Sequence, residues 1–273
     1  MVHGEVELLE GDVRDRQLAL RAAKGADIIV HLAANASVPE SVERPHYDCS
    51  VNVTGTLNFL EAARQQGVPR FVFASSVAPI GDCNPPIHED VPPRPKAPYG
   101  ASKLAGEGYC SAYHESYGIE TVALRFGNAY GPGSSHKSSV IAKFIRRALD
   151  GKVLEVHGSG QQTRDFIYVD DLVRAVIASA TQPVVGGELF QIATGTETSI
   201  SELVDVLVPI VSEVNGSETI DARKTEPRQG DIQHSYADIS KAEEMLSWSP
   251  HISLKEGLRR TVRALYHQKA QYS

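Results

Sequence analysis

Short apolar runs alternate with helical spacings along this chain, and the alternation predicts β-α-β units built on a parallel sheet covered on both faces. ADIIVHLA, residues 26–33, reads as a buried strand. From Val53 to Gln66 the apolar positions Val53, Leu57, Leu60 and Ala63 keep helical spacing, and Gly67 supplies a C-terminal stop. RFVFASS (70–76) is the next strand. A proline-rich loop from Pro85 to Pro98 leads into a long helix from about Tyr99 to Tyr117, and ETVALRF (120–126) is another buried strand. Strand, helix, strand, helix, strand is the order of an α/β fold.

Beyond Gly131 the pattern loosens. We expect a helix over 139–149, a short strand near Leu154, and TRDFIYVDDL leading into a helix that runs through Ala180. Residues 188–193 read as a strand returning to the sheet. Ser199 and Glu202 form a capping box ahead of a helix over 202–214. Residues 219–271 mix a strand, a turn at Gly230 and helices over 237–246 and 254–267. This half is expected to form a smaller lobe at the carboxyl ends of the strands, where open α/β sheets place their ligands.

Composition narrows the partners. With 273 residues, 41% hydrophobic and 22% charged, the chain can bury a sizeable core. It shows no run of 18 apolar residues and no basic-then-apolar leader, so we expect no membrane span and a cytoplasmic location. A formal charge of -7 without a basic cluster argues against nucleic acid. Cys49, Cys83 and Cys110 are odd in number and widely spaced, which fits reduced thiols better than a disulfide framework or a metal site.

The candidate chemistry lies in PYGASKLAGE, residues 98–107. Tyr99 and Lys103 stand one helical turn apart on one face. An ammonium held against a phenol favours the phenolate, which yields an oxygen base. Ser75 and Ser76 end one strand, Tyr99 and Lys103 open the following helix, and Asn128 follows the next strand, so all are expected at the carboxyl edge of the sheet. There Ser76 is positioned to bind the oxygen that Tyr99 deprotonates, with Lys103 behind. The plainer readings are that Tyr99 packs in the core with Lys103 in water, and that the serines cap a strand end.

GDVRD at 11–15, HLAA at 31–34, VNVTGT at 51–56, ASS at 74–76, YGASK at 99–103, LRFGNAYGP at 124–132 and QTRDFIYVDD at 162–171 stand in order. Together they resemble the extended short-chain dehydrogenase/reductase superfamily, and within it the NAD-dependent nucleotide-sugar epimerase/dehydratase family, over essentially the whole chain. The resemblance implies a Rossmann-like parallel sheet over residues 1–130, with 166–194 returning to it, and a C-terminal substrate-binding lobe over 131–165 and 195–273. It implies epimerisation of a nucleotide sugar, UDP-glucose and UDP-galactose at C4 being the first expectation, by a hydride relay through NAD. Ser76, Tyr99 and Lys103 match the catalytic triad. Asp12 and Val13 fall at the adenine, Leu32, Ala33 and Ala34 at the ribose-phosphate, and Asn52 at a further cofactor contact, with Tyr99 and Lys103 also on the cofactor. Asn128, Arg164 and Arg228 fall where the nucleotide diphosphate is held, and Asp231 near the nucleoside ribose. A guanidinium grips phosphate through paired, charge-assisted hydrogen bonds; the plainer reading of both arginines is a surface ion pair. Relatives pair into homodimers through the helices matching 53–66 and 99–117, so a homodimer is expected.

The sequence departs from the family pattern at its front. Residues 1–273 contain no glycine-rich strand–turn–helix element to seat a pyrophosphate, and the chain opens at what looks like the third strand, Glu5 to Glu10. Roughly 40 to 50 residues, about one β-α-β unit, precede that position in the family. The sheet is therefore expected to lack its first β-α-β unit, with a gap near 10 Å unless Glu5–Glu10 re-pairs. A fragment of a longer protein, binding NAD weakly or not at all, is the expectation. Gly158-Ser159-Gly160 lacks the third glycine and the following helix. Val77 and Ala78 follow Ser76 where dehydratases of the family carry acidic residues, which favours an epimerase. Ile80, preceded by Pro79, stands where relatives commonly have tyrosine. Two alternatives stay open: another nucleotide-sugar epimerase or reductase of the superfamily, and a cofactor-free binding protein.

Overall fold

The computed structural model describes residues 6–134, 139–216, 220–227 and 232–272. Its elements, in chain order, begin with α1 (Arg16–Ala23), β1 (Ile28–His31), α2 (Val38–Glu43) and α3 (Pro45–Cys49). A wider π turn, Ser50–Thr54, joins α3 to α4 (Gly55–Gln66), followed by β2 (Arg70–Ser76), α5 (Pro98–Tyr117) and β3 (Glu120–Phe126). The chain continues through β4 (Asn128–Tyr130), α6 (Val140–Leu149), β5 (Leu154–His157), β6 (Thr163–Arg164), β7 (Phe166–Tyr168), α7 (Val169–Thr181), β8 (Leu189–Ile192) and β9 (Thr198–Ser199). It closes with α8 (Ile200–Asn215), β10 (Ala222–Thr225), α9 (Ser240–Leu246) and α10 (Leu254–Tyr272).

Two compact units emerge, and each has its own core. The first takes Met1–Gly81, Pro92–Arg125 and Ala178–Phe190, and the second Asp82–Val91, Phe126–Ile177 and Gln191–Ser273. Asp82–Val91 is tied to the rest of the second unit: Ile87 N–H donates to Tyr236 O and Glu89 accepts from the Gln191 N–H.

The first unit carries the main sheet, ordered β1-β2-β3-β8. β1 and β2 are parallel, with Ile28 opposite Arg70 and His31 opposite Phe73. β2 is buried along almost its whole length, which is why it reads as a continuous apolar run. Leu60, Ala63, Phe71, Phe73 and Tyr113 are among the residues that close the core between sheet and helices. The expected strand Glu5–Glu10 is not observed: its described residues, 6–10, form no strand, and Val6 and Leu8 are exposed. A strand needs a ladder partner for its backbone groups, and the described residues provide none for 6–10. Among the described residues β1 is an edge strand, with Ile28 and Val30 exposed, and no gap interrupts the four strands.

α5 sits tightly on β2 because two glycines permit it. A Cβ at Gly106 would lie 2.3 Å from the Phe73 ring, and one at Gly100 would lie 2.6 Å from the Ala78 carbonyl oxygen. Pro98 opens the helix without wasting a donor, and Gly118, at φ 70°, ends it.

In the second unit, α6, α8 and α10 enclose Phe144, Ile145, Leu203, Leu207 and Leu258. Asp165 ties its loops together, accepting from Thr194 N–H (2.8 Å), Thr194 Oγ1 (2.6 Å), Gly195 N–H (3.0 Å) and Ala237 N–H (3.3 Å). Gly160 has φ 80°, and a Cβ there would lie 2.4 Å from Ser201 Oγ, so this glycine serves a packed turn. The predicted capping box is present at Ser199 and Glu202.

Candidate active site

Ser76, Tyr99 and Lys103 belong to the first unit, at the carboxyl end of β2 and the opening turns of α5. The Ser76 hydroxyl is hydrogen-bonded to the Tyr99 phenol. Ser76 Oγ also accepts from the Ala78 N–H at 3.1 Å, which fixes the turn after the strand. Both side chains are half-buried, so the pair retains access to solvent.

Lys103 is 3% exposed. Its Nζ donates to the Ala74 carbonyl at 2.8 Å and stands over the Phe73 ring at 5.0 Å. Burial lowers its pKa to about 8, opposed chiefly by the negative charge of Asp48. Tyr99 departs from expectation. Its phenol is pushed up rather than down, chiefly by burial, with the Ser76 hydrogen bond acting in the opposite direction and the Asp48 charge adding to the rise. The ammonium donates to the strand carbonyl, and desolvation is the largest effect on the phenol.

Around these groups lies a layer that pattern reading missed. Glu107, one turn beyond Lys103, accepts from Arg125 Nε (2.9 Å) and Nη2 (2.7 Å) and from Ser75 Oγ (2.5 Å), all buried. His31 stacks near Phe71 and Phe73, and burial lowers its pKa to about 4, so it is a neutral core ring. The i, i+4 spacing of Lys103 and Glu107 was the available signal, but their partners lie in other strands.

The expected cofactor residues divide into two kinds. Asp12 is exposed and bonded to Arg14, which holds its carboxyl at about 2. Val13, half-buried, packs against Gly55 and gives its carbonyl to Asn58 Nδ2. Leu32 and Ala33 are exposed just past β1, and Ala34 is half-buried. Asn52, by contrast, is 1% exposed and commits its amide to the chain: Oδ1 accepts from Asn35 N–H at 2.8 Å and Nδ2 donates to Asn35 O at 3.0 Å. It shapes the loop after β1 and has little left to offer a ligand.

Asn128 and Arg164 lie in the second unit. The Asn128 N–H donates to Asp165 O at 2.8 Å, the first rung between β4 and β7. Arg164 Nη1 donates to the carbonyls of Thr163 (2.6 Å) and Ile232 (2.7 Å), which orients the guanidinium. Arg228 and Asp231 lie outside the described residues, as does the turn at Gly230. Among the described residues no group of His, Cys, Asp or Glu could hold a metal ion, and no helix is long and apolar enough to cross a membrane.

A parallel Rossmann-like sheet carrying serine at one strand end and Tyr-x-x-x-Lys at the start of the next helix defines an enzyme of the short-chain dehydrogenase/reductase type. The profile of the NAD dependent epimerase/dehydratase family matches residues 2–193. The chain is 38% identical over 266 residues to a putative UDP-glucose 4-epimerase of Methanocaldococcus jannaschii, covering 96% of this chain and 84% of that one. The UDP-N-acetylglucosamine 4-epimerase of Methanobrevibacter ruminantium, solved with UDP-N-acetylmuramic acid, superposes with a TM-score of 0.88 at 35% identity, covering 95% and 83%. The Thermus thermophilus UDP-glucose 4-epimerase, solved with NAD, gives 0.83 at 35% identity, covering 94% and 83%. This chain belongs to the NAD-dependent epimerase/dehydratase family, and its relatives make it an enzyme of the UDP-glucose 4-epimerase-like type.

Proposed function

We propose that this enzyme interconverts UDP-glucose and UDP-galactose by epimerisation at C4 through a transient 4-keto sugar. The observation that carries the reading is the Tyr99 phenol bonded to the Ser76 hydroxyl, with the buried Lys103 ammonium one turn behind. The residues present fit NAD at its adenosine side: an ionised, exposed carboxylate at Asp12 and exposed apolar backbone at Leu32 and Ala33 past the strand end. When bound, NAD supplies a reversible hydride acceptor at the sugar C4.

The roles of the chain's own groups follow from their chemistry. Ser76 holds the sugar C4 oxygen, Tyr99 removes its proton and later returns it, and Lys103 keeps a fixed positive charge near both. Asn128, Arg164, Arg228 and Asp231 hold the nucleotide, because tight grip on the diphosphate leaves the keto sugar free to turn over. Val77 and Ala78 offer no acid or base for the neighbouring carbons, which supports epimerase over dehydratase chemistry. The test is turnover of UDP-galactose against a panel of nucleotide sugars, NAD being supplied at saturation. Preference for UDP-glucuronate or UDP-N-acetylglucosamine would replace the sugar, and absence of any turnover would remove the reading.

We further infer a homodimer through α4 and α5, supported by the exposed Tyr109 and Tyr117 on α5, with sedimentation as a monomer the contrary result. The free thiols Cys49, Cys83 and Cys110 support a cytoplasmic location, which cell fractionation checks.

A further inference from the structure

The most unusual buried group in the first unit is Asp48. It is 1% exposed, on the short helix α3, and its Oδ2 has no hydrogen-bond partner among the described residues. A carboxylate that deep normally has both oxygens satisfied. Oδ1 accepts from Asn52 Nδ2 at 3.0 Å, and the same Nδ2 donates to Ser102 Oγ at 3.0 Å. Ser102 Oγ in turn donates to the Tyr99 carbonyl at 3.0 Å, inside the first turn of α5. The π turn at Ser50–Thr54 brings Asp48 and Asn52 together against that helix, and such turns frequently mark functional sites.

We propose that Asp48 is a positioning residue for the reaction: held by Asn52 and set against Ser102, its buried carboxylate fixes the opening turn of α5 and supplies the negative charge behind Lys103 and Tyr99. The proposal rests on the epimerase reading and names a residue outside the Ser76–Tyr99–Lys103 group. Burial pushes the Asp48 carboxyl up, while the Ser102 hydroxyl and the Lys103 charge pull it back. The titratable groups that act on this cluster are Tyr99, Lys103, Glu107 and Cys110 of α5, Glu40 of α2 and His31 of β1. Of the negative charges on Lys103, that of Asp48 acts most strongly.

Asp48→Asn separates charge from shape, since the amide oxygen still accepts from Asn52. Two readouts are needed. In the first, Lys103 is titrated by pulse labelling with an amine-reactive anhydride across pH and quantified by mass spectrometry, which requires no turnover. Its midpoint should fall by about one pH unit in Asp48→Asn. In the second, kcat at pH 8 should fall by roughly tenfold with KM for the nucleotide sugar unchanged. An unmoved Lys103 midpoint overturns the proposal, whatever the activity does. A variant that fails to fold also overturns it, because it assigns Asp48 to architecture alone. Should the parent chain turn over no nucleotide sugar, the epimerase reading fails by itself while the Lys103 titration still decides the role of Asp48.

Discussion

Tyr99→Phe is expected to lower kcat by roughly a thousandfold with little change in KM for the nucleotide sugar, because proton transfer by a positioned side chain contributes on that scale. The substitution removes one hydroxyl and keeps the ring, and with it the packing at the start of α5. Its structural cost is confined to the hydrogen bond with Ser76, about 1 kcal/mol. A binding protein that had kept the fold but not the chemistry would show no turnover to lose, so the split between kcat and affinity distinguishes the two readings. Steady-state kinetics, together with nucleotide-sugar binding by calorimetry, measure it.

Glu107→Gln is expected to destabilise the protein by about 3–5 kcal/mol, since it leaves the Arg125 guanidinium buried without its countercharge. For a chain of this size that corresponds to a fall in melting temperature of roughly 10 °C. The double variant Glu107→Leu, Arg125→Met removes both charges and should recover much of the loss, as replacement of a whole buried pair is often close to neutral. Ser75, whose hydroxyl donates to Glu107, keeps part of the cost in place. Thermal melts of the single and double variants check the prediction, and a single variant as stable as the parent would show that the pair carries no such weight.

Legibility followed the physics of each element. β2 and β3 were readable to their ends because strands buried on both faces are continuous apolar runs, and α5 was readable within a residue because a proline-rich loop precedes it. α2 and α3, of six and five residues, are too short for a period to show. α1 is only eight residues long, though Asp15 caps it by accepting from the Gln17 and Leu18 N–H groups. Glu5 to Glu10 looked like the third strand of the family fold, but a strand exists only beside a partner, and sequence does not display the partner; residues 6–10 form none. In the site, the pairing of Ser76 with Tyr99 was legible from residue types and order, and the hydrogen-bond partners of Asp48, Asn52 and Glu107 were not. Asn52 bonds across 17 residues to Asn35 and across 50 to Ser102, and Glu107 across 32 to Ser75, distances at which no local pattern operates. The direction of the Tyr99 shift was likewise invisible, because burial of the ring outweighs a lysine whose ammonium turns toward Ala74.

The most direct test of the central claim is conversion of UDP-galactose by the chain, supplied with NAD, in deuterium oxide. If Tyr99 moves only the proton on oxygen and the hydrogen on C4 is handed back to the same carbon, UDP-glucose should form with no solvent deuterium at C4. Deuterium at C4, or no UDP-glucose at all, would contradict the account.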